Sequence, residues 1–157
     1  ELTGISADML HGKPRPEELM PEFYAFIGKR PLLAHNASFD ARFLQAEMAR
    51  ANLFVENSTL CTMLLARRLI QDTTDHKLGT LKNYIHYQSG PDHKEHRALD
   101  DVMVTASLWM YLRNTLEKIT GTRAHDIHTY KKISRMSKSQ LRKGLEKISR
   151  QTAQTAV

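Results

Sequence analysis

Residues 31–50 read PLLAHNASFDARFLQAEMAR, and the change of rhythm inside this stretch decides the fold. PLLA (31–34) is apolar and too short for a helix, which makes it a strand candidate. From residue 37 on, Phe39, Phe43, Ala46 and Met48 mark out a helix that Asn36 or Ser38 can cap. A strand therefore gives way to a helix at HNASFD (35–40). STLC (58–61) is a second short strand candidate, and Thr62 can cap a helix through Met63, Leu64, Ala66 and Leu69. Strands alternating with helices indicate an α/β domain with a parallel portion to its sheet. Two strands fall short of the roughly five of a typical sheet. Further strands are expected either in the loops or ahead of residue 1, since the chain starts at Glu1 in a loop-like segment without an initiator methionine.

Upstream, KPRPEELMPEFYAFIGKR places Leu19, Phe23, Phe26 and Ile27 at helical spacing, with Pro16 at the start, a kink or restart expected at Pro21 and an end near Gly28. Downstream, QDTTDHKLG is a polar break, TLKNYIHY a short helix turning Leu81, Tyr84 and Ile85 inward, and QSGPDHKEH a second loop. Ala98, Val102, Thr105, Ala106, Trp109, Leu112, Leu116 and Ile119, with Arg113 at the margin, then set the apolar stripe of a long amphipathic helix. SKSQLRKGLEKIS places Leu141, Leu145 and Ile148 on one stripe of a small basic helix.

Composition narrows the classes. With 157 residues and 41% hydrophobic content the chain can bury a core. No apolar run approaches the roughly 18 residues of a membrane span, and the N-terminal residues lack the layout of a signal peptide, so a soluble, intracellular protein with no membrane partner is expected. The single Cys61 cannot form an internal disulfide or, without a second thiol, a cysteine zinc site, and it is expected to be buried. The net charge of +6 is unevenly placed: residues 1–122 carry 14 basic against 15 acidic side chains, residues 123–157 nine against two. The chain is thus divided into a body, 1–122, and a basic, partly helical C-terminal tail, 123–157. Such a tail can contact phosphates by counterion release or simply be a solvated terminus.

Two places carry chemistry. Asp40 stands in the first turn of the helix after PLLA, where it can hold a cation or merely favour the helix dipole. In EHRALDDVMVTASLW (95–109), His96 and Asp101 are five residues apart, about 140° around a helix, so His96 must precede the helix if both serve one site. On that wheel Asp101 borders the predicted stripe and faces the protein, while Asp100 faces water. An acid beside a buried stripe needs a partner or a metal, and an ion pair of Asp101 with Arg97 would also satisfy it. His35, His86, His93, His125 and His128 gain no role from spacing and read as surface or loop histidines.

LLAHNASFDARFL and HRALDDVMVTASLW, in this order, resemble the second and third motifs of the DEDDh, or DnaQ-like, 3′-to-5′ exonucleases. The segment ELTGISADML…KPRPEELMPEFYAFIG is similar to the stretch before the second motif, and LCTMLLARRL to the connecting strand and helix of the bacterial exonuclease X and polymerase epsilon-subunit branches. The resemblance spans about residues 1–119. It implies a ribonuclease-H-like exonuclease fold, with an exonuclease domain over 1–122 lacking its first strands. It also implies hydrolysis of phosphodiester bonds at a 3′ end, releasing nucleoside monophosphates in proofreading or repair. Position by position, Asp40 and Asp101 match metal-binding acids and His96 the general base. Asn36 and Phe39 match the path of the terminal nucleotide, and Leu2 and Thr3 an approach to its base. Two Mg²⁺ or Mn²⁺ ions would be the cofactors, single-stranded DNA 3′ ends the substrate, a DNA polymerase an admissible partner, and the bacterial cytoplasm the location. The family's DxE motif, which supplies two further carboxylates, is absent and expected upstream of residue 1. A non-catalytic nucleic-acid-binding or polymerase-associated module that keeps the fold is the alternative.

Overall fold

The computed structural model describes residues 5–88, 98–122 and 125–155. A short helix, α1 (Ala7–Leu10), is capped by the Ser6 hydroxyl, and α2 (Pro16–Ile27) follows. Pro21 does not restart α2. The helix runs unbroken through it to Gly28, whose positive φ of 49° suits a residue without a side chain. Strand β1 (Leu32–Ala34) leads into α3 (Ala37–Arg50), and β2 (Thr59–Cys61) into α4 (Thr62–Leu69). The strands pair in parallel with Leu32 opposite Thr59 and Ala34 opposite Cys61, so the β–α–β unit read from the sequence is present. This small parallel sheet in a helix-rich chain is consistent with the ribonuclease-H-like α/β class. α5 (Leu78–Tyr84), α6 (Ala98–Thr120), α7 (Ile127–Arg135) and α8 (Lys138–Thr155) complete the described chain.

The core lies where α4, α6 and α7 pack together, with β2, α5 and α8 closing it. Leu65, Leu81, Leu108, Leu112, Leu116 and Ile133 have no exposure at all. The buried stripe of α6 keeps Thr105, Leu112 and Leu116 of the predicted one and departs from it at the other positions. Val104, Thr105, Leu108, Leu112, Leu116 and Thr120 face inward, whereas Val102 is 58% exposed, Ile119 is 47% exposed and Ala106 is also outside. Thr120 is tolerated inside because its hydroxyl donates to the Leu116 carbonyl at 2.8 Å. On α3, Met48 is buried but Phe39, Phe43 and Ala46 are exposed. Cys61 is half-buried rather than buried.

Residues 125–155 do not lie loose. Tyr130, Ile133, Leu141 and Ile148 belong to the core, Lys131 Nζ donates to Ser58 Oγ at 2.9 Å, and Ser149 Oγ donates to the Thr120 carbonyl at 3.1 Å. The stripe expected on the basic helix is the one that α8 buries.

Candidate active site

Asn36, Phe39 and Asp40 lie where β1 ends and α3 begins. In parallel α/β units such junctions gather on one side of the sheet, and the first-turn N–H groups of each helix are unpaired there. Asn36 occupies the N-cap position of α3, but its backbone is left-handed (φ 60°, ψ 43°) and its side chain makes no capping bond. The residue is exposed, and its amide takes no part in capping. Ser38 is the second residue of the helix, and its carbonyl accepts from Arg42 Nε at 3.2 Å. Asp40 lies in the first turn, exposed, with no hydrogen bond or ion pair to another described residue. Phe39 is 52% exposed and leans on Phe43, ring centroids 4.8 Å apart, so it is not core packing.

Asp101 stands in the first turn of α6, half-buried. It is four residues ahead of Thr105 and seven ahead of Leu108, which places it on the N-terminal extension of the buried stripe, more squarely than the predicted phase implied. Its carboxylate too has no hydrogen-bond or ion-pair partner among the described residues, and its charge acts on the imidazole of His35. Asp100 is half-buried as well, rather than pointing to water. His96, Leu2 and Thr3, and the alternative Asp101 partner Arg97, lie outside the described residues, as does His93.

His35, read from the sequence as a surface or loop residue, is half-buried and bonded through both ring nitrogens. Nδ1 lies 3.0 Å from Thr62 Oγ1 and Nε2 lies 2.9 Å from the His76 carbonyl. A carbonyl only accepts, so Nε2 carries the hydrogen; in the neutral ring Nδ1 then accepts from the Thr62 hydroxyl. Thr62 does not cap α4. It is the first residue of that helix, with Cys61 at the N-cap, and the second acceptor within its reach is the Ala34 carbonyl at 3.3 Å. His76 is itself held by a bond from Nε2 to the Ile70 carbonyl at 2.9 Å. Burial, the largest influence, pushes the His35 imidazole below its ordinary value of 6.5. The bond to the His76 carbonyl and the charge of Asp101 oppose the shift, while His76 and Arg67 add to it. His35 thus ties together β1, α4 and the 70–77 loop, and stands within electrostatic reach of α6. Its partners are 27 and 41 residues away, which is why spacing did not reveal it. His125 is likewise no free surface residue: its Nε2 is 2.9 Å from Thr120 Oγ1, and burial pushes its pKa down.

Asp40 and Asp101 each offer carboxylate oxygens, of the kind a hard divalent cation takes, with no competing protein partner among the described residues. Those residues contain no cluster of three or more metal-ligating side chains. No described helix is long and apolar enough to cross a membrane.

The chain is 35% identical over 119 residues to a DNA polymerase III PolC-type of Caldanaerobacter subterraneus subsp. tengcongensis, covering 76% of this chain and 8% of that protein. It is 38% identical over 120 residues to the PolC-type polymerase of Halalkalibacterium halodurans, covering 75% and 8%. A putative bifunctional exonuclease/endonuclease protein of Mycobacterium tuberculosis is 33% identical over 135 residues, covering 84% of this chain and 20% of that protein. The chain thus spans less than a tenth of the two polymerases and a fifth of the bifunctional protein. A solved structure titled "Exonuclease X in complex with 5′ overhanging duplex DNA" superposes with a TM-score of 0.55 at 32% identity, covering 73% of this chain and 63% of that one. With the family profile described as Exonuclease matching residues 1–109, both motif segments fall inside the matched region, and the chain belongs to the DnaQ-like exonuclease family.

Proposed function

We propose that the protein containing this chain is a metal-dependent 3′-to-5′ exonuclease. It removes nucleoside monophosphates from single-stranded DNA ends in replication proofreading or repair, in the cytoplasm of a bacterium. One observation carries the reading. Asp101 is a half-buried carboxylate without a described protein partner, and its charge is felt by the histidine that opens the HNASFD segment. An acid so placed, with no described protein partner, leaves its oxygens open to a cation. The polymerase and exonuclease relatives, one solved with DNA, support nucleic acid as the substrate class and a polymerase as partner.

In this reading Asp40 and Asp101 hold Mg²⁺ or Mn²⁺. Bound divalent ions supply a water made nucleophilic near neutrality and neutralise charge at the leaving oxygen. His96 accepts the proton of the attacking water, a task suited to an imidazole near its ordinary pKa of about 6.5. Phe39 gives the terminal base a face to stack on without reading its identity. The Asn36 amide, freed from capping, donates to the terminal nucleotide. Leu2 and Thr3 flank its base.

Mn²⁺ titration of this chain, followed by electron paramagnetic resonance, tests the metal assignment without turnover. Binding should weaken in Asp40→Asn and in Asp101→Asn. Ordinary DNA binding with no Mn²⁺ retention would replace the enzyme by a non-catalytic binding module. In the longer protein, His96→Ala should lower turnover on 5′-labelled single-stranded DNA while leaving DNA affinity intact; equal losses in both would reject the base assignment.

A further inference from the structure

The outer face of α7 carries a row of basic side chains. His128, Lys131, Lys132 and Arg135 recur at three- and four-residue steps and share one side of the helix, while Tyr130, Ile133 and Ser134 are buried on the other. With Met136, Gln140 and Gly144 they line a groove of about 570 Å³ between α7 and the first turns of α8. Among the described residues no carboxylate lines it. The two acids of the segment 123–157 are engaged elsewhere: Asp126 accepts the Thr129 backbone N–H at 2.7 Å as the cap of α7, and Glu146 pairs with Arg142 at 3.2 Å. Like charges three and four residues apart destabilise a helix. A row with no acid to relieve it burdens folding and favours an anion.

Lys131, through its bond to Ser58, fixes the wall of this groove beside the start of β2. The HNASFD junction lies at the other end of the parallel pair, about 10 Å further along three-residue strands. We infer that the α7–α8 groove is a second nucleic-acid contact, binding the phosphodiester backbone away from the hydrolytic site. The inference rests on the nuclease reading for its choice of polyanion. Spacing favours a polynucleotide over an acidic peptide. From 128 to 135 the row extends about 10 Å at about 1.5 Å per residue, close to three steps of a strand rising about 3.4 Å per phosphate. Arg135 adds a planar fork matched to phosphate oxygens.

The test uses the chain as it stands. Lys132 and Arg135 are exposed, so Lys132→Gln combined with Arg135→Gln leaves the Lys131–Ser58 bond and the buried face of α7 untouched. A control pair, Lys143→Gln with Lys147→Gln, removes the same charge from exposed positions of α8 outside the groove. Affinity for a fluorescein-labelled oligothymidylate is measured by anisotropy across a range of salt concentrations, with circular dichroism confirming the fold of each variant. Two lost phosphate contacts should make the slope of log affinity against log salt shallower by about 1.4, at about 0.7 per phosphate of a single strand; the control pair should leave it unchanged. No binding by the wild-type chain, an unchanged slope in the groove pair, or an equal change in the control pair overturns the proposal. So does a groove-dependent affinity for poly-glutamate with no effect on the oligonucleotide, which would assign the groove to an acidic protein. Mn²⁺ retention at Asp40 and Asp101 is read separately, so failure of either reading is seen without the other.

Discussion

Nδ1 of His35 lies 3.0 Å from the hydroxyl of Thr62, and through that bond the end of β1 is tied to the first residue of α4. Thr62 is fully buried, so its hydroxyl has no water to fall back on. Thr62→Val keeps the shape, removes the bond and strands a ring nitrogen, which should destabilise the chain by about 1–3 kcal/mol. Thr62→Ser should recover most of that. Urea unfolding of the three proteins, followed by far-ultraviolet circular dichroism, checks the order.

Both His35 and His125 have pKa values pushed below 6.5, chiefly by burial. Between the folded and unfolded values the unfolded chain binds more protons, so stability rises with pH across that window and is lost as pH falls below about 6.5. Asp75 and Asp126 are held below 3.8, mainly by the backbone N–H groups of Lys77 and Thr129, and their contribution is lost only in the more acidic window beneath that value. Unfolding midpoints should therefore decline in two separate steps on acidification. His35→Gln, which keeps a donor for the His76 carbonyl, should flatten the upper step but not the lower.

Phe39 is exposed and supported only from one side by Phe43. Phe39→Ala should change stability by no more than about 0.5 kcal/mol. Loss of one base-stacking face should weaken single-stranded DNA binding by about 1–3 kcal/mol. Paired melting and anisotropy measurements separate the two effects; a large loss of stability with unchanged binding would make Phe39 a packing residue.

Removal of residues 123–157 takes Tyr130, Ile133, Leu141 and Ile148 from the core. At about 1.5–3 kcal/mol for each buried side chain, the loss approaches the whole stability of an ordinary domain, about 5–15 kcal/mol. A chain ended at residue 122 should show no cooperative thermal transition. A sharp one would mean that 1–122 folds alone.

Much of this architecture was legible because it follows local rules. PLLA and STLC are short apolar runs, each followed at once by a helical period, and both became strands entering helices. The family was legible from HNASFD and HRALDD in order. What stayed hidden depends on partners distant in sequence. The phase of α6 was misjudged because Val102 and Ile119 are apolar yet exposed, while Thr120 is polar yet buried. Pro21 suggested a restart that α2 does not make. His35 carried no periodic signal, since Thr62 and the His76 carbonyl come to it only once the chain has folded.

The backbone of Asn36 has a consequence for what a randomised library at that codon would return. At φ 60° most side chains are strained, glycine is not, and asparagine is among the few others that tolerate the conformation. Selection for thermal resistance alone should enrich glycine there, while selection for processing of DNA ends should enrich asparagine. The divergence between those two winners would measure how far the amide, as distinct from the bend, serves the reaction.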